Sequence, residues 1–260
     1  MLSVTPIPAL NDNYIWHLEK DGEHWVVDPG EAEPVIKTLG EAPLSGILIT
    51  HHHYDHTGGI KTLHKHYECP VFGPESIKGV TNPIADGDTF LLLGLPTEVR
   101  GIPGHTLDHL AIILKEESAS GSRQPHLFCG DTLFAAGCGR IFEGTPKQML
   151  NSLQMLTKLP KHTLVYCAHE YTLSNLRFAH TVEPGNTAVS ERLAHTQTLR
   201  QSGEPTLPSS ISEELATNPF LRCQFPEVAQ SGAHHLGRET PEELSEVEIF
   251  SSLRDWKDHF

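Results

Sequence analysis

The 260-residue chain is short of several things, and each shortage narrows the reading. Basic residues are few: 19 Lys and Arg against 33 Asp and Glu give a formal net charge of −14 at pH 7, with 18 histidines counted neutral. A nucleic-acid binder needs a basic field to neutralise phosphates, and docking on anionic lipid needs basic clusters. No nucleic-acid partner and no membrane partner is therefore expected. No apolar stretch approaches the roughly 20 residues of a membrane span. The opening segment MLSVTPIPALNDNY has neither a basic region nor the apolar run of a secretory leader. Cysteines are sparse and odd in number: Cys69, Cys129, Cys138, Cys167 and Cys223 form no CxxC pair. That is the pattern of reduced thiols, and it points to a cytoplasmic address. There is no G-x-S-x-G, and Cys138, in Gly137-Cys138-Gly139, reads as packing rather than as a nucleophile.

Enough apolar material is present to build a soluble core, at 38% hydrophobic and 20% charged residues. Short apolar runs between Gly/Pro punctuation predict strands at 14–18, 24–27, 46–50, 89–93, 98–102, 110–114, 127–129 and 164–167. Helical patterns cover 33–39, 58–67 and 146–159, the last opened by Thr145 as a cap and Pro146 in the first turn. Residues 118–125 read as a polar loop. Beyond His169 no strand is expected; helices are predicted at 174–180, 187–201 and 241–259, with a Pro/Gly/Ser-rich stretch before the last. The pattern is a mixed α/β domain over residues 1–170 followed by a small helical domain over 171–260.

The chemistry gathers in Thr50-His51-His52-His53-Tyr54-Asp55-His56, directly after the apolar run GILIT. In an extended backbone His51 and His53 point to one side and can grip one ion, with His52 opposite. Asp55 and His56 stand at the turn into the next helix and address a different position. Three further ligand-type residues follow apolar strands: His105 in PGHT, Asp131 in GDT and His169 in AHE. Loops after strand ends are where α/β folds place their sites. Five histidines and two aspartates are too many for one tetrahedral zinc and suit two ions sharing a bridge.

These segments, in this order, resemble the metallo-β-lactamase superfamily. NDNY, VVDPG, LFCGDTLFAAGCGRIFEGT, YCAHEYTLSNLRFA, VEPGN, TNPFLR and a C-terminal Arg-x-x-Lys extend the similarity to the hydroxyacylglutathione hydrolases, or glyoxalase II. The resemblance implies a four-layer αββα sandwich with a C-terminal all-helical domain that recognises glutathione. It implies one divalent ion on His51, His53 and His105, a second on Asp55, His56 and His169, and Asp131 bridging them. Zinc is the expected metal, with iron or manganese as alternatives. Asp28 matches an acid that hydrogen-bonds the ligands rather than the ion. Arg140, Phe142, Tyr171, Arg254 and Lys257 match the positions that hold the glutathione moiety, whose carboxylates suit Arg, Tyr and Lys. The family often has Lys and Tyr where Arg140 and Phe142 stand here. The implied reaction is hydrolysis of S-lactoylglutathione to glutathione and D-lactate by a hydroxide bridging the ions, in a monomeric enzyme, with Asp55 a candidate for orienting that hydroxide.

Three rivals stay open at this point. One is another hydrolase of the superfamily, against which Arg254 and Lys257 argue. Another is a glutathione-persulfide dioxygenase using a single iron, against which the complete set Asp55, His56 and His169 argues. The third is a non-catalytic metal-binding module. His52, His234 and His235 are among the histidines given no role.

Overall fold

A computed structural model describes residues 1–117 and 123–260. Among these, two six-stranded sheets stack face to face. The first runs in chain order through β1 (Ser3–Ala9), β2 (Asn13–Lys20), β3 (Glu23–Val27), β4 (Gly46–Leu48), β5 (Val71–Gly73) and β6 (Asn82–Pro83). Its first three strands are antiparallel and the rest parallel. Three helices accompany it: α1 (Glu33–Leu39), α2 (Tyr54–Thr57) and α3 (Ile60–Tyr67).

Side-chain alternation makes this a two-faced layer. Tyr14, Trp16 and Leu18 of β2, Trp25 and Val27 of β3, and Leu48 of β4 enter the core between the sheets. Their neighbours Ile15, Val26 and Ile47 face the other way, into a second core with Val35 and Leu39 of α1 and Ile60 and Leu63 of α3.

The second sheet contains β7 (Thr89–Leu92), β8 (Leu95–Gly101), β9 (Leu110–Glu117) and β10 (Arg123–Gly130). A small hairpin, β11 (Leu133–Phe134) with β12 (Gly137–Cys138), and helix α4 (Pro146–Leu156) precede β13 (Leu164–Cys167), which lies parallel to β10. Residues 110–114 are buried throughout, because this sheet is covered on both faces. Thr145 does cap α4, reciprocally with Gln148. The C-terminal part holds α5 (Thr172–Val182), α6 (Thr187–Gln201), β14 (Ser209–Ser210), α7 (Ile211–Thr217), α8 (Pro226–His235) and α9 (Glu246–Asp258). The chain is thus an αββα sandwich with helices appended. No described helix is long and apolar enough to cross a membrane.

Several elements differ from expectation. β1 is an edge strand whose Pro6 and Pro8 mask its strand character, since proline is tolerated at an edge where it need not donate. The helix expected over 58–67 is α3, and a short extra helix, α2, precedes it, so Asp55 and His56 sit on a helix rather than in a turn. Helix α4 stops at Leu156, and α9 begins at Glu246, where Ser245 caps it reciprocally with Glu248. A strand does follow His169: the two-residue β14 pairs with β13. The Pro/Gly/Ser-rich stretch also contains α7 and α8. Of the expected polar loop over 118–125, residues 118–122 lie outside the described residues, and 123–125 already belong to β10.

Candidate metal centre

All seven ligand-type residues sit just beyond strand ends. His51, His53, Asp55 and His56 follow β4, His105 follows β8, Asp131 follows β10 and His169 follows β13. The backbone is shaped for this approach at Gly130, in the left-handed region at φ +45°. A Cβ there would stand 2.4 Å from the Thr50 hydroxyl and 2.9 Å from the His109 ring, so only glycine lets β10 deliver Asp131.

The structure brings the seven together in two groups. In one, ligand atoms of His51, His53 and His105 lie within 4.8 Å of one another; Asp55, His56 and His169 do the same in the other. His105 Nε2 is 3.0 Å from His53 Nδ1. His56 Nε2 and His169 Nε2 are each 3.4 Å from Asp55 Oδ2. Asp131 stands between the groups: Oδ2 is 3.4 Å from His105 Nε2, while Oδ1 is 3.4 Å from His56 Nε2 and 3.3 Å from His169 Nε2. Ligands about 2.0–2.1 Å from a common tetrahedral ion stand roughly 3.3–3.4 Å apart. Furthermore, His51 Nε2, His56 Nε2 and Asp131 Oδ1 are buried without a hydrogen-bond partner. Such atoms are costly unless a cation satisfies them, so the residues fit divalent ions.

The rear nitrogens fix which ring atom faces inward. His56 Nδ1 donates to Asp28 Oδ2 (3.0 Å), and His169 Nδ1 donates to Asp12 Oδ1 (2.7 Å). His105 Nδ1 donates to the Arg140 carbonyl at 2.8 Å. His51 Nδ1 lies 3.0 Å from the Thr50 hydroxyl, which itself donates to Asp28 Oδ2 at 2.7 Å. A carboxylate or carbonyl can only accept, so each ring keeps a proton at Nδ1 and, when neutral, presents Nε2 as a lone-pair donor. Asp28 could also form a triad with His51 and His56. Its oxygens are taken by Thr50 and His56, which makes it an orienter instead.

Electrostatics separate the two groups. Burial holds His51 well below the usual histidine range, and the neighbouring His56 adds to this. Burial acts the same way on His56 and His169, but Asp131 outweighs it, aided by Asp28 at His56 and by Asp55 at His169. His56 rises well above its usual value, and His169 is pushed up to about 10. Burial would raise Asp131, yet His56 and His169 hold it well below the carboxylate range. The carboxylate-bearing half therefore demands positive charge.

A cavity of about 600 Å³ opens onto this cluster, lined by His53, Asp55, His105, Asp131 and His169 together with Arg140, Phe142, Tyr171, Arg254 and Lys257. Tyr171 stacks flat on His169, with ring centroids 4.7 Å apart. Phe142 sets its ring edge-on to His53 and His105. Arg140 is exposed and pairs with Asp258 at 3.2 Å. Lys257 donates to the Ser174 hydroxyl at 3.1 Å. Arg254 is buried and committed, donating to the Cys138 carbonyl (2.7 Å) and to Asp258 (3.0 Å).

Residues 11–169 match the family model "Metallo-beta-lactamase superfamily", and residues 170–260 match "Hydroxyacylglutathione hydrolase C-terminus". The chain is 47% identical to the hydroxyacylglutathione hydrolase of Nitrosomonas europaea, over 100% of this chain and 97% of that one. It is 49% identical to that of Ectopseudomonas mendocina, over the whole of both. It belongs to the hydroxyacylglutathione hydrolase family. Its fold is also that of ETHE1 from Myxococcus xanthus, at 21% identity and a TM-score of 0.64, covering 98% of this chain and 91% of that one. Membership of the hydroxyacylglutathione hydrolase family makes it a hydrolase, and the metallo-β-lactamase superfamily implies divalent metal binding.

Family segments that pattern reading left without a task now have one. Asp12 and Asn13 of NDNY contact His169 and Asp55. His109, four residues after His105 of PGHT, stacks on His51 and accepts from the Asp131 amide at 3.1 Å. Asn218 of NPFLR donates to the carbonyls of Phe134 (3.2 Å) and Gly137 (2.8 Å). Arg222 of the same segment pairs with Glu183 of EPGN at 2.7 Å. Asn218 thereby ties the helical part to the β11–β12 hairpin, which joins Asp131 to Arg140. The position of Asn218 in the sequence carried no signal for this, because its two carbonyl partners lie more than 80 residues away.

Proposed function

We propose that the chain hydrolyses the thioester of S-(2-hydroxyacyl)glutathione, typically S-lactoylglutathione, to glutathione and a 2-hydroxy acid, D-lactate. This is the second step of methylglyoxal detoxification by the glyoxalase pair. The observation that carries the reading is one cavity lined both by the His/Asp cluster and by the cations Arg140, Arg254 and Lys257. Full-length similarity to named hydroxyacylglutathione hydrolases supports it.

In this reading His51, His53 and His105 hold one divalent ion, Asp55, His56 and His169 hold the other, and Asp131 gives an oxygen to each. Zinc is the first choice, with iron or manganese also suited to such a donor set. Bound there, the ions supply a water acidified towards a pKa of about 7 and a Lewis acid for the thioester carbonyl. Residues 1–170 carry this centre, and residues 171–260 supply Tyr171, Arg254 and Lys257 to the substrate side.

The protein's own groups do the remaining work. Asp28, Thr50 and the Arg140 carbonyl keep the imidazoles aimed. Asp55, braced by Asn13, orients the attacking water. Arg140 and Lys257 hold the glutathione carboxylates, while Arg254 adds charge and fixes the Cys138–Arg140 turn. Phe142 lacks a phenol and contributes packing alone. The departing thiol has an ordinary pKa near 8.5, so it leaves as thiolate with no general acid. A cytoplasmic address, supported by five unpaired buried cysteines, and a monomeric state belong to the same proposal.

The test follows loss of thioester absorbance with S-lactoylglutathione after metal analysis. Wild type is expected to turn over, His56→Ala to lose most activity, and Arg254→Ala to raise KM. No turnover by the fully metallated wild type overturns the reading; an unchanged KM in Arg254→Ala overturns the role of that residue.

A further inference from the structure

Asp12 belongs to neither ligand group, yet its Oδ1 makes the shortest contact, at 2.7 Å, to the rear nitrogen of any of the four histidines paired through Nδ1. The next residue, Asn13, donates its amide to Asp55 Oδ2 at 3.1 Å. Two consecutive residues of one turn thus grip two members of the Asp55, His56 and His169 group. The other group receives uncharged partners instead, the Thr50 hydroxyl and the Arg140 carbonyl.

The turn is held by its backbone. The Asp12 carbonyl accepts from the Glu170 amide at 2.9 Å, and the Tyr14 amide donates to the Ala168 carbonyl at 2.7 Å. Asn13 and His169 form an antiparallel bridge. Upstream, the Leu10 amide donates to Glu31 at 2.7 Å. Asp12 therefore meets His169 from a fixed position although its side chain is 41% exposed. Because it lies behind the ring, at Nδ1, it cannot share the ion that Nε2 faces.

A carboxylate behind a ligating imidazole locks the tautomer and makes the facing nitrogen a stronger donor. We propose that Asp12 is a positioning residue that selectively tightens the hold of the Asp55, His56 and His169 group on its ion. The inference rests on the two-ion reading given above. It makes the NDNY turn a determinant of metal retention on one side of the centre and not on the other.

The test titrates metal-free full-length wild type, Asp12→Ala and Asp12→Asn with Zn(II) against a competing chromophoric chelator, with bound metal counted by mass spectrometry. Wild type is expected to bind two ions. Asp12→Ala should weaken one of them by about 10–100-fold and leave the other unchanged. Asp12→Asn, which keeps a neutral acceptor, should fall between, with the melting temperature of its metal-free form equal to that of wild type. If wild type binds two ions and both variants match it, the inference alone is overturned. Equal weakening of both ions also overturns it, because that marks a general structural loss. A wild type that binds a single ion overturns the two-ion reading and this inference together.

Discussion

Asp28 and His56 form a buried pair in which one carboxylate oxygen accepts the imidazole Nδ1–H at 3.0 Å. The same oxygen accepts the Thr50 hydroxyl, which reaches His51, so a single acid orients one histidine on each side of the centre. Replacing Asp28 by Ala leaves the Thr50 amide, the Thr50 hydroxyl and the His56 ring without an acceptor. Each buried orphan costs about 1–3 kcal/mol. Asp28 also has φ +54°, a conformation Asn tolerates better than Ala. Asp28→Ala should therefore melt well below wild type and keep less than its full metal after dialysis. Asp28→Asn should fold closer to normally while binding metal about 10–100-fold more weakly. Calorimetry with metal analysis separates the two effects, and wild-type metal retention in both variants would refute the assignment.

Asn218 donates to three acceptors, the Phe134 and Gly137 carbonyls and Glu214 Oε2, and its own oxygen accepts the Phe220 amide. Asn218→Ala removes all of these in a fully buried place. A loss of about 2–4 kcal/mol in denaturant unfolding is expected. Because the hairpin it secures leads to Arg140, KM should rise as well. A normal KM in the folded variant would show that the hairpin keeps its place unaided.

Much of the fold was legible because strand alternation and apolar runs are local signals. Tyr14, Trp16 and Leu18 declare β2 wherever it packs, and Pro146 after Thr145 declares α4. The His/Asp residues of the candidate metal centre stood out for a related reason: each follows a strand that the pattern already marks. What lay hidden was long-range. Asp12 meets His169 across 157 positions, and Asn218 meets Phe134 across 84, with no periodicity to announce either pairing. The prolines of β1 concealed an edge strand. Lys257 and Arg254 share a helix face as their spacing predicts and both line the cavity, but only packing shows that Arg254 is already committed to the Cys138 carbonyl and Asp258.

Lys257 is held below the usual lysine range by burial first, then by the positive charges of Arg254 and Arg140. An anionic substrate is bound by its protonated form. Affinity should therefore be full below that lowered pKa and decline as pH rises through it, sooner than for an ordinary lysine. Lys257→Ala should raise KM by about 10-fold or more, as expected for a lost charge-assisted hydrogen bond, and flatten the alkaline rise in KM. Lys257→Arg, which stays charged, should move that rise out of range. Stopped-flow KM measurements across alkaline pH test this; an alkaline rise that persists in Lys257→Ala would assign it to another group.

Metal removal should destabilise the fold and not only silence the reaction. With no cation, His51 Nε2, His56 Nε2 and Asp131 Oδ1 stay buried without hydrogen-bond partners. An ion that binds only the folded chain stabilises it by about 2.7 kcal/mol at 100 times its dissociation constant. At roughly 2–4 °C per kcal/mol for a domain of this size, chelation should lower the melting temperature by about 5–10 °C per ion, and Zn(II) should restore it. The effect should fade in acid. His169, raised to about 10, and His56, also raised, must shed protons to bind, so metal affinity falls as pH falls and binding releases protons. His56→Ala should show a smaller chelator-induced shift than wild type in scanning fluorimetry. Equal shifts in the two proteins would place the stabilising ion elsewhere.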